Sequence, residues 1–322
     1  MVTDSSENPV VTVVITTYNR PECLRKAVET VSNQNYEPIE LVVVDDCSRK
    51  PAAEVLADVT PNVESFIIRR HETNRGANAA RNTGIESASG EFIAFLDDDD
   101  RWEPEKLSKQ VKTFQRGEKD LGLVYTGRKI VEEGRVLETA IPEPVEEDMT
   151  KELLCRNPIG TQSTVMVRSS VAEQVPFDEE IPRWADLEWF VGVSTVCELA
   201  VVEEPLVIYT RDAHNRISDD YDKLRESYHR FRTKYKNLSA EYGWLFKRKM
   251  LAYTAFRAGK ASINDRNYHE ARRYFFNSLW NYPFERSFYP YAAAALGGRV
   301  THRTVRTTKD LFTKIARIAR WD

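Results

Sequence analysis

Early in the chain, short apolar runs rich in β-formers end abruptly in polar or acidic side chains. The sharpest case is EFIAFLDDDDRWEP at 91–104, where an apolar run at 92–96 meets Asp97, Asp98, Asp99 and Asp100. Such a run reads as a buried strand of a parallel sheet, delivering its acids to the carboxyl edge. Open α/β sheets bind ligands at that edge. Four adjacent carboxylates repel one another, so the cluster calls for positive charge. A hard divalent cation, Mg2+ or Mn2+, takes oxygen ligands and bridges to phosphates. The same residues also suit an acidic cap on a following helix opened near Pro104.

The pattern recurs upstream. The run at 10–15 passes into Thr16, Thr17, Tyr18, Asn19 and Arg20, and Pro21 then opens a helix. The run at 39–44 ends in Asp45 and Asp46. A helix at 51–58, a strand at 63–69, a loop at 71–76 and a small-residue helix at 77–88 lead to the 92–96 strand. Alternating strands and helices with buried strands predict an α/β fold with a doubly wound, mostly parallel sheet. Beyond Lys106 the spacing predicts a helix to about Gln115, a hairpin over 121–130 and 135–139, a short helix at 149–155 and a strand at 164–167. A helix opened by Asp186 and a strand near 206–210 follow, and from about 219 the pattern is helical. The chain thus divides into an α/β domain at 1–218 and a helical extension at 219–322.

Length and composition, 322 residues with 41% hydrophobic and 30% charged, describe an ordinary globular chain. A net charge of −4 gives no nucleic-acid footprint. Cys23, Cys47, Cys155 and Cys197 lie far apart and read as reduced thiols. The polar N-terminus is no signal peptide, and no apolar run is long enough to span a bilayer. A cytoplasmic protein is expected. The last helix, about 301–321, sets Arg303, Arg306, Lys309 and Arg317 opposite Phe312, Ile315 and Trp321. That pattern fits either a peripheral contact with the cytoplasmic face of a membrane or a helix docked with a solvated basic face.

The series VVITTYNRP, LVVVDDCS, NRGANAARNTG, GEFIAFLDDDD and FDEEIPRWADLEWF resembles the family 2 glycosyltransferases with the GT-A fold, over about two thirds of the chain. The resemblance implies a metal-dependent, inverting transfer of a sugar from a nucleoside-diphosphate sugar, UDP-linked by family habit. The acceptor would be a glycan hydroxyl, and the basic, aromatic final helix leans towards a lipid-linked glycan, as in surface polysaccharide or N-glycan assembly. It implies nucleoside contacts at Thr16, Tyr18 and Asp46, with Asp45 either sharing the site or holding the turn. Asn74 and Arg81 fall in the segment before the acidic strand, where Arg81 reaches the diphosphate or makes a surface ion pair. The D-x-D element maps to Asp97, Asp98 and Asp99. Asp97 and Asp98 then take ribose and metal-side contacts, Asp99 is the direct metal ligand with Asp97 beside it, and Asp100 is left to cap the next helix.

Asp186 is implied as the catalytic base, with Glu188 as the fallback. The acid that precedes it in the family is replaced by Ala185. Trp184 and Trp189 flank it as sugar platforms or core residues, and Arg211, His214 and Arg216 fall where relatives close a loop over the diphosphate. Two other classes stay open on the sequence: a nucleotidyltransferase, although 16–21 lacks the usual glycine-rich phosphate loop, and a non-catalytic sugar- or protein-binding module. The helical extension is also compatible with docking to another protein of an assembly complex.

Overall fold

The structure is a computed structural model that describes residues 8–211, 221–265 and 267–296. The chain separates into two units. One comprises 1–153, 157–180 and 184–214, and the other 154–156, 181–183 and 215–322.

The first unit is built on the apolar runs. β1 (Val11–Thr17), β2 (Ile39–Asp45) and β4 (Phe92–Asp97) are buried almost throughout, as strands covered on both faces must be. β3 (Ser65–Arg70) adds the edge. These four run parallel, and the register pairs Thr17 with Asp45 and Thr16 with Asp97. All the polar strand ends therefore leave the sheet on one edge. The intervening helices α1 (Pro21–Ser32), α2 (Ala52–Val55) and α3 (Ala77–Ser87) follow the expected alternation, with α2 shorter than 51–58.

Past β4 the sheet becomes mixed. A two-residue strand β5 (Arg101–Trp102) and α4 (Lys106–Arg116) precede a hairpin of β6 (Leu121–Glu132) and β7 (Arg135–Ala140). The hairpin turns on Glu133 and Gly134, both at positive φ, which suits a tight two-residue connection. After α5 (Met149–Cys155), a 3-10 turn at Gln162–Thr164 enters β8 (Val165–Arg168), which lies antiparallel between β4 and β6. α6 (Ser169–Gln174), which the spacing does not signal, and α7 (Ala185–Ser194) lead to β9 (Glu198–Thr210). β9 is far longer than the 206–210 expected. It runs parallel to β6 and antiparallel to β5, giving the order β3-β2-β1-β4-β8-β6-β9-β5, with β7 on β6.

The helix α3 lies close against β1 because Gly84 has no side chain. A Cβ there would fall 2.3 Å from Val14 Cγ1, and Val14 is β-branched inside a buried strand. Helix propensity would gain up to about 1 kcal/mol from Gly to Ala, but overpacking at this distance costs about 1–3 kcal/mol. Gly84→Ala is therefore expected to lower the denaturation midpoint in urea. An unchanged or higher midpoint would show that α3 has room to move.

The second unit contains α8 (Tyr221–Glu241), α9 (Trp244–Asn264), α10 (Tyr268–Asn281) and α11 (Phe288–Leu296). Tyr253 and Phe256 of α9 pack with Phe275 of α10 and Phe288 of α11. Among the described residues no helix is long and apolar enough to cross a membrane. The basic helix expected at 301–321 lies outside the described residues.

Candidate active site

The carboxyl edge of β1, β2 and β4 gathers the polar strand ends, and each acid meets a different environment. Asp45 is fully buried and holds the turn after β2. Its Oδ1 accepts from Ser48 N–H (2.8 Å), its Oδ2 from Ala52 N–H (2.9 Å), and Arg70 pairs with it. Burial pushes this carboxyl upward, but those hydrogen bonds and Arg70 together hold it below the ordinary range. Of the two roles open to Asp45, the structure supports holding the turn.

Asp46 is buried too and organises the 71–76 loop. Its Oδ1 accepts from Arg75 N–H and lies 2.8 Å from His71 Nδ1, and its Oδ2 accepts from Gly76 N–H at 2.8 Å. With a carboxylate as partner, His71 donates from Nδ1, and its Nε2 lies 2.9 Å from Thr83 Oγ1. Asn74 donates to the Asp46 carbonyl (3.3 Å). Thr16 is half-buried at the end of β1, and Tyr18 stands 47% exposed beside it.

In the acidic run, arginines answer the charge. Arg20 Nη1 donates to Asp98 Oδ1 and Asp99 Oδ2, both at 3.0 Å. Thr17 Oγ1 donates to Asp98 Oδ2 (2.7 Å). Burial nevertheless raises the Asp98 carboxyl to about 6. Arg81 is buried within α3; its Nη2 donates to Asp97 Oδ1 (2.8 Å), and its Nη1 lies 3.7 Å from Asp186 Oδ1. The surface ion pair weighed for Arg81 is not what forms. Its guanidinium joins two acids from distant parts of the sequence, beside the Phe177 ring at 5.5 Å.

Asp100 departs from expectation. It does not cap α4, whose N-cap is Glu105 without a side-chain hydrogen bond. It is fully buried instead, accepting from Ser163 Oγ (2.6 Å) and Thr210 N–H (3.3 Å). Burial, reinforced by Asp97 and Asp99, pushes it well above the usual carboxylate range. Ser163 Oγ also accepts from Asp97 N–H (3.1 Å), so one hydroxyl ties both ends of the run to the 3-10 turn.

Asp186 sits in the first turn of α7, whose N-cap is Trp184 in the left-handed region at φ 63°. It lies inside the helix rather than at its N-cap. Its side chain keeps 31% of its surface open, and burial of the remainder raises the carboxyl to about 6 against the opposing pull of Arg81. Gln162 faces it, fully buried, with neither amide atom in a well-formed hydrogen bond. Glu188 is buried and Trp189 is core, stacked on Phe177 at 4.7 Å. The edge thus brings together Thr16, Tyr18, Asp46, Asn74, Arg81, Asp97, Asp98, Asp99 and Asp186. His214 and Arg216 lie outside the described residues.

A family model for "Glycosyl transferase family 2" matches residues 12–175, slightly more than half of the chain. The chain belongs to this family. Among relatives, it is 31% identical over 185 residues to the putative teichuronic acid biosynthesis glycosyltransferase TuaG of Bacillus subtilis, covering 56% of this chain and 72% of that one. It is 29% identical over 206 residues to the amylovoran biosynthesis glycosyltransferase AmsB of Erwinia amylovora, covering 61% and 68%. Two solved structures share the fold at 16% identity. S. aureus TarS 1–349 in complex with UDP-GlcNAc superposes with a TM-score of 0.58 over 89% of this chain and 92% of that one. The mannosyltransferase PcManGT of Pyrobaculum calidifontis, in complex with GDP-Man and Mn2+, gives 0.53 over 95% and 81%. This glycosyltransferase is therefore a GT-A-type enzyme, and the nucleotidyltransferase and non-catalytic readings give way.

The residues that sequence reasoning passed over are Thr17, Arg20, His71, Gln162 and Ser163. Arg20 had a signal, because it stands in the same motif as Tyr18 and four carboxylates need cations. Ser163 had none, since its role depends on β8 being inserted beside β4.

Proposed function

We propose that this glycosyltransferase is a metal-dependent, inverting enzyme that moves a sugar from a nucleoside-diphosphate sugar, UDP-linked, to a hydroxyl of a glycan acceptor in surface polysaccharide assembly. The observation that carries this reading is Asp186. It is a part-open carboxylate raised to about 6, held by Arg81 to the acidic end of β4. A base near neutrality is what proton removal from a sugar hydroxyl needs. The names of TuaG and AmsB favour a polysaccharide, and the ligands of TarS and PcManGT favour a nucleotide sugar and a metal.

In this mechanism Tyr18 stacks on the base, Thr16 and Asp46 border the nucleoside, and Asn74 holds the loop beside it. Asp98 borders the ribose. Asp97 and Asp99 would hold the divalent ion. Both are hard oxygen donors with side chains 28% and 20% exposed, and Mg2+ or Mn2+ sites use one or two carboxylates plus substrate phosphates rather than a full protein cage. When bound, the ion supplies charge neutralisation on the departing diphosphate. Asp186 accepts the acceptor hydroxyl's proton as that oxygen attacks the anomeric carbon and the bond to the diphosphate breaks. Attack opposite the leaving group inverts the centre, so an α-linked donor gives a β-linked product. We assign this chemistry to 1–218 and treat 219–322 as a separate helical domain.

The test is a screen of UDP-, GDP- and dTDP-sugars for release of nucleoside diphosphate, with Mn2+ or Mg2+ and with EDTA. One donor is expected to turn over, EDTA to abolish the turnover, and Asp99→Ala to lower it about 100-fold or more. Undiminished turnover in EDTA would remove the metal from the mechanism, and failure of every donor to bind would overturn the reading.

A further inference from the structure

In the second unit, α8 and α10 both pack on α9 and leave between them a cleft of about 710 Å3. The size matches small-molecule sites. Its walls are unusual for a helix seam. On α8 the cleft is lined by Tyr221, Arg225, Tyr228 and Arg232, a single stripe at spacings of four, three and four. Facing it, α10 presents Glu270, Arg273 and Tyr274 from one side. Stripes at this spacing between neighbouring helices are ordinarily apolar. Here the buried face of α8, with Leu224, Phe231 and Tyr235, also takes in Tyr228, while Tyr221, Arg225 and Arg232 keep surface towards solvent.

The aromatic and charged groups are arranged. The rings of Tyr228 and Tyr274 meet edge-on at 4.9 Å, joining the two helices. Arg232 lies 5.0 Å from the Tyr228 ring and donates to its hydroxyl, which holds its guanidinium in a fixed orientation. Glu270 is the one acid in the lining, and Arg273 already bonds it at 2.8 Å. The lining therefore keeps an excess of positive charge in a chain whose net charge is −4. A concave site with one sign of charge concentrates ligands of the other sign. Arginine forks match carboxylate and phosphate oxygens. The half-buried ring of Tyr221, with the amide of Asn277 across the cleft, suits a polyhydroxylated chain.

We propose that the α8–α10 cleft binds an anionic saccharide chain, one that carries carboxylate or phosphate groups along it. A saccharide chain is favoured over a bilayer surface because these arginines share the cleft with Tyr221 and the Asn277 amide, drawn from two different helices. The assignment concerns this unit alone and stands whichever donor the transferase domain uses.

The experiment is calorimetric titration of the full chain with three probes: hexagalacturonate, a short glycerol-phosphate oligomer, and maltohexaose as the neutral control. Binding of at least one acidic probe is expected, weakening as salt rises from about 0.05 to about 0.15 M, with no binding of maltohexaose. The double variant Arg225→Ala/Arg232→Ala should weaken that binding about tenfold or more while leaving nucleoside diphosphate release from the donor unchanged. The proposal is overturned if maltohexaose binds as well as the acidic probes, if neither acidic probe binds, or if the double variant binds as the wild type does. Tighter binding to phosphatidylglycerol vesicles than to either acidic probe would also overturn it, in favour of a membrane surface. Because the comparison of charged with neutral probes uses the unmodified protein, a variant that fails to fold does not remove the test.

Discussion

Replacing Asp186 by asparagine is expected to lower kcat by about 100- to 10,000-fold, the range a positioned general base contributes, while the donor KM stays within about twofold. The side chain keeps its shape, so the pocket and its contact with Arg81 on the oxygen side persist. What is lost is a group able to accept a proton. The pH profile separates this from simple damage. With the carboxyl at about 6, kcat/KM of the wild type should rise with pH through that value as the base loses its proton. The residual activity of the variant should lack the rising limb. Stability carries the opposite sign. The folded protein holds this proton more tightly than the unfolded chain, whose Asp titrates near 4, so Asp186 favours folding at low pH and that contribution is lost as pH rises through about 6. Asp98, raised similarly, adds to the same slope. The variant should lose part of the decline in melting temperature across this window. A full rising limb in Asp186→Asn would transfer the base's role to another residue.

The half of the sheet that carries the site was legible because parallel, doubly buried strands leave a plain mark: β-branched runs that stop at polar residues. That mark puts Thr16, Asp46 and Asp97 on one edge, and the observed register, with Asp46 N–H donating to the Thr17 carbonyl, agrees. The second half was harder to read for specific reasons. β9 is interrupted by Glu203, Glu204 and Pro205, which break alternation where β6 shifts register, so most of its length looked like loop. α6 is six residues long, too short for periodicity to register. The partners of the acids were the least accessible. Four adjacent carboxylates call for positive charge, and the arginines that supply it in this structure include Arg20, 78 residues from Asp98, and Arg81 on α3. The burial of Asp100 depends on Ser163 and on Thr210, 110 residues away. Side-chain pairing over such separations follows from strand order, which periodicity does not encode. The absence of an acid before Asp186 was legible as a departure, and in the structure Arg81 and Gln162 are the groups that neighbour Asp186.

Arg81 is the other position where a single change should have a large effect, because its guanidinium is shared. One nitrogen bonds Asp97 at 2.8 Å and another lies 3.7 Å from Asp186. Arg81→Leu keeps the bulk against Phe177 and strands two carboxylates near one another without a cation. Removing one partner of a buried ion pair costs about 3–5 kcal/mol. Both acids keep nearly a third of their side-chain surface open, so solvent screening reduces this to about 2–3 kcal/mol. Activity should fall further than stability, by about 1,000-fold or more, since the variant disturbs the ion-binding acid and the base together. Arg81→Lys is expected to rescue stability in part and activity little, because a single ammonium cannot span both carboxylates as the fork does. The decisive comparison is the double variant Arg81→Leu/Asp97→Asn. Removing the Asp97 charge takes away the repulsion felt by Asp186, so the double variant should be more stable than Arg81→Leu alone by about 1 kcal/mol and still inactive. In the residual turnover of Arg81→Leu, the rising limb of kcat/KM should move above 6, because the cation that favours the ionised carboxylate has gone while Asp97 remains. If stability and activity instead fall in proportion, and the double variant recovers both, Arg81 serves only to neutralise Asp97, and the base must be oriented from elsewhere.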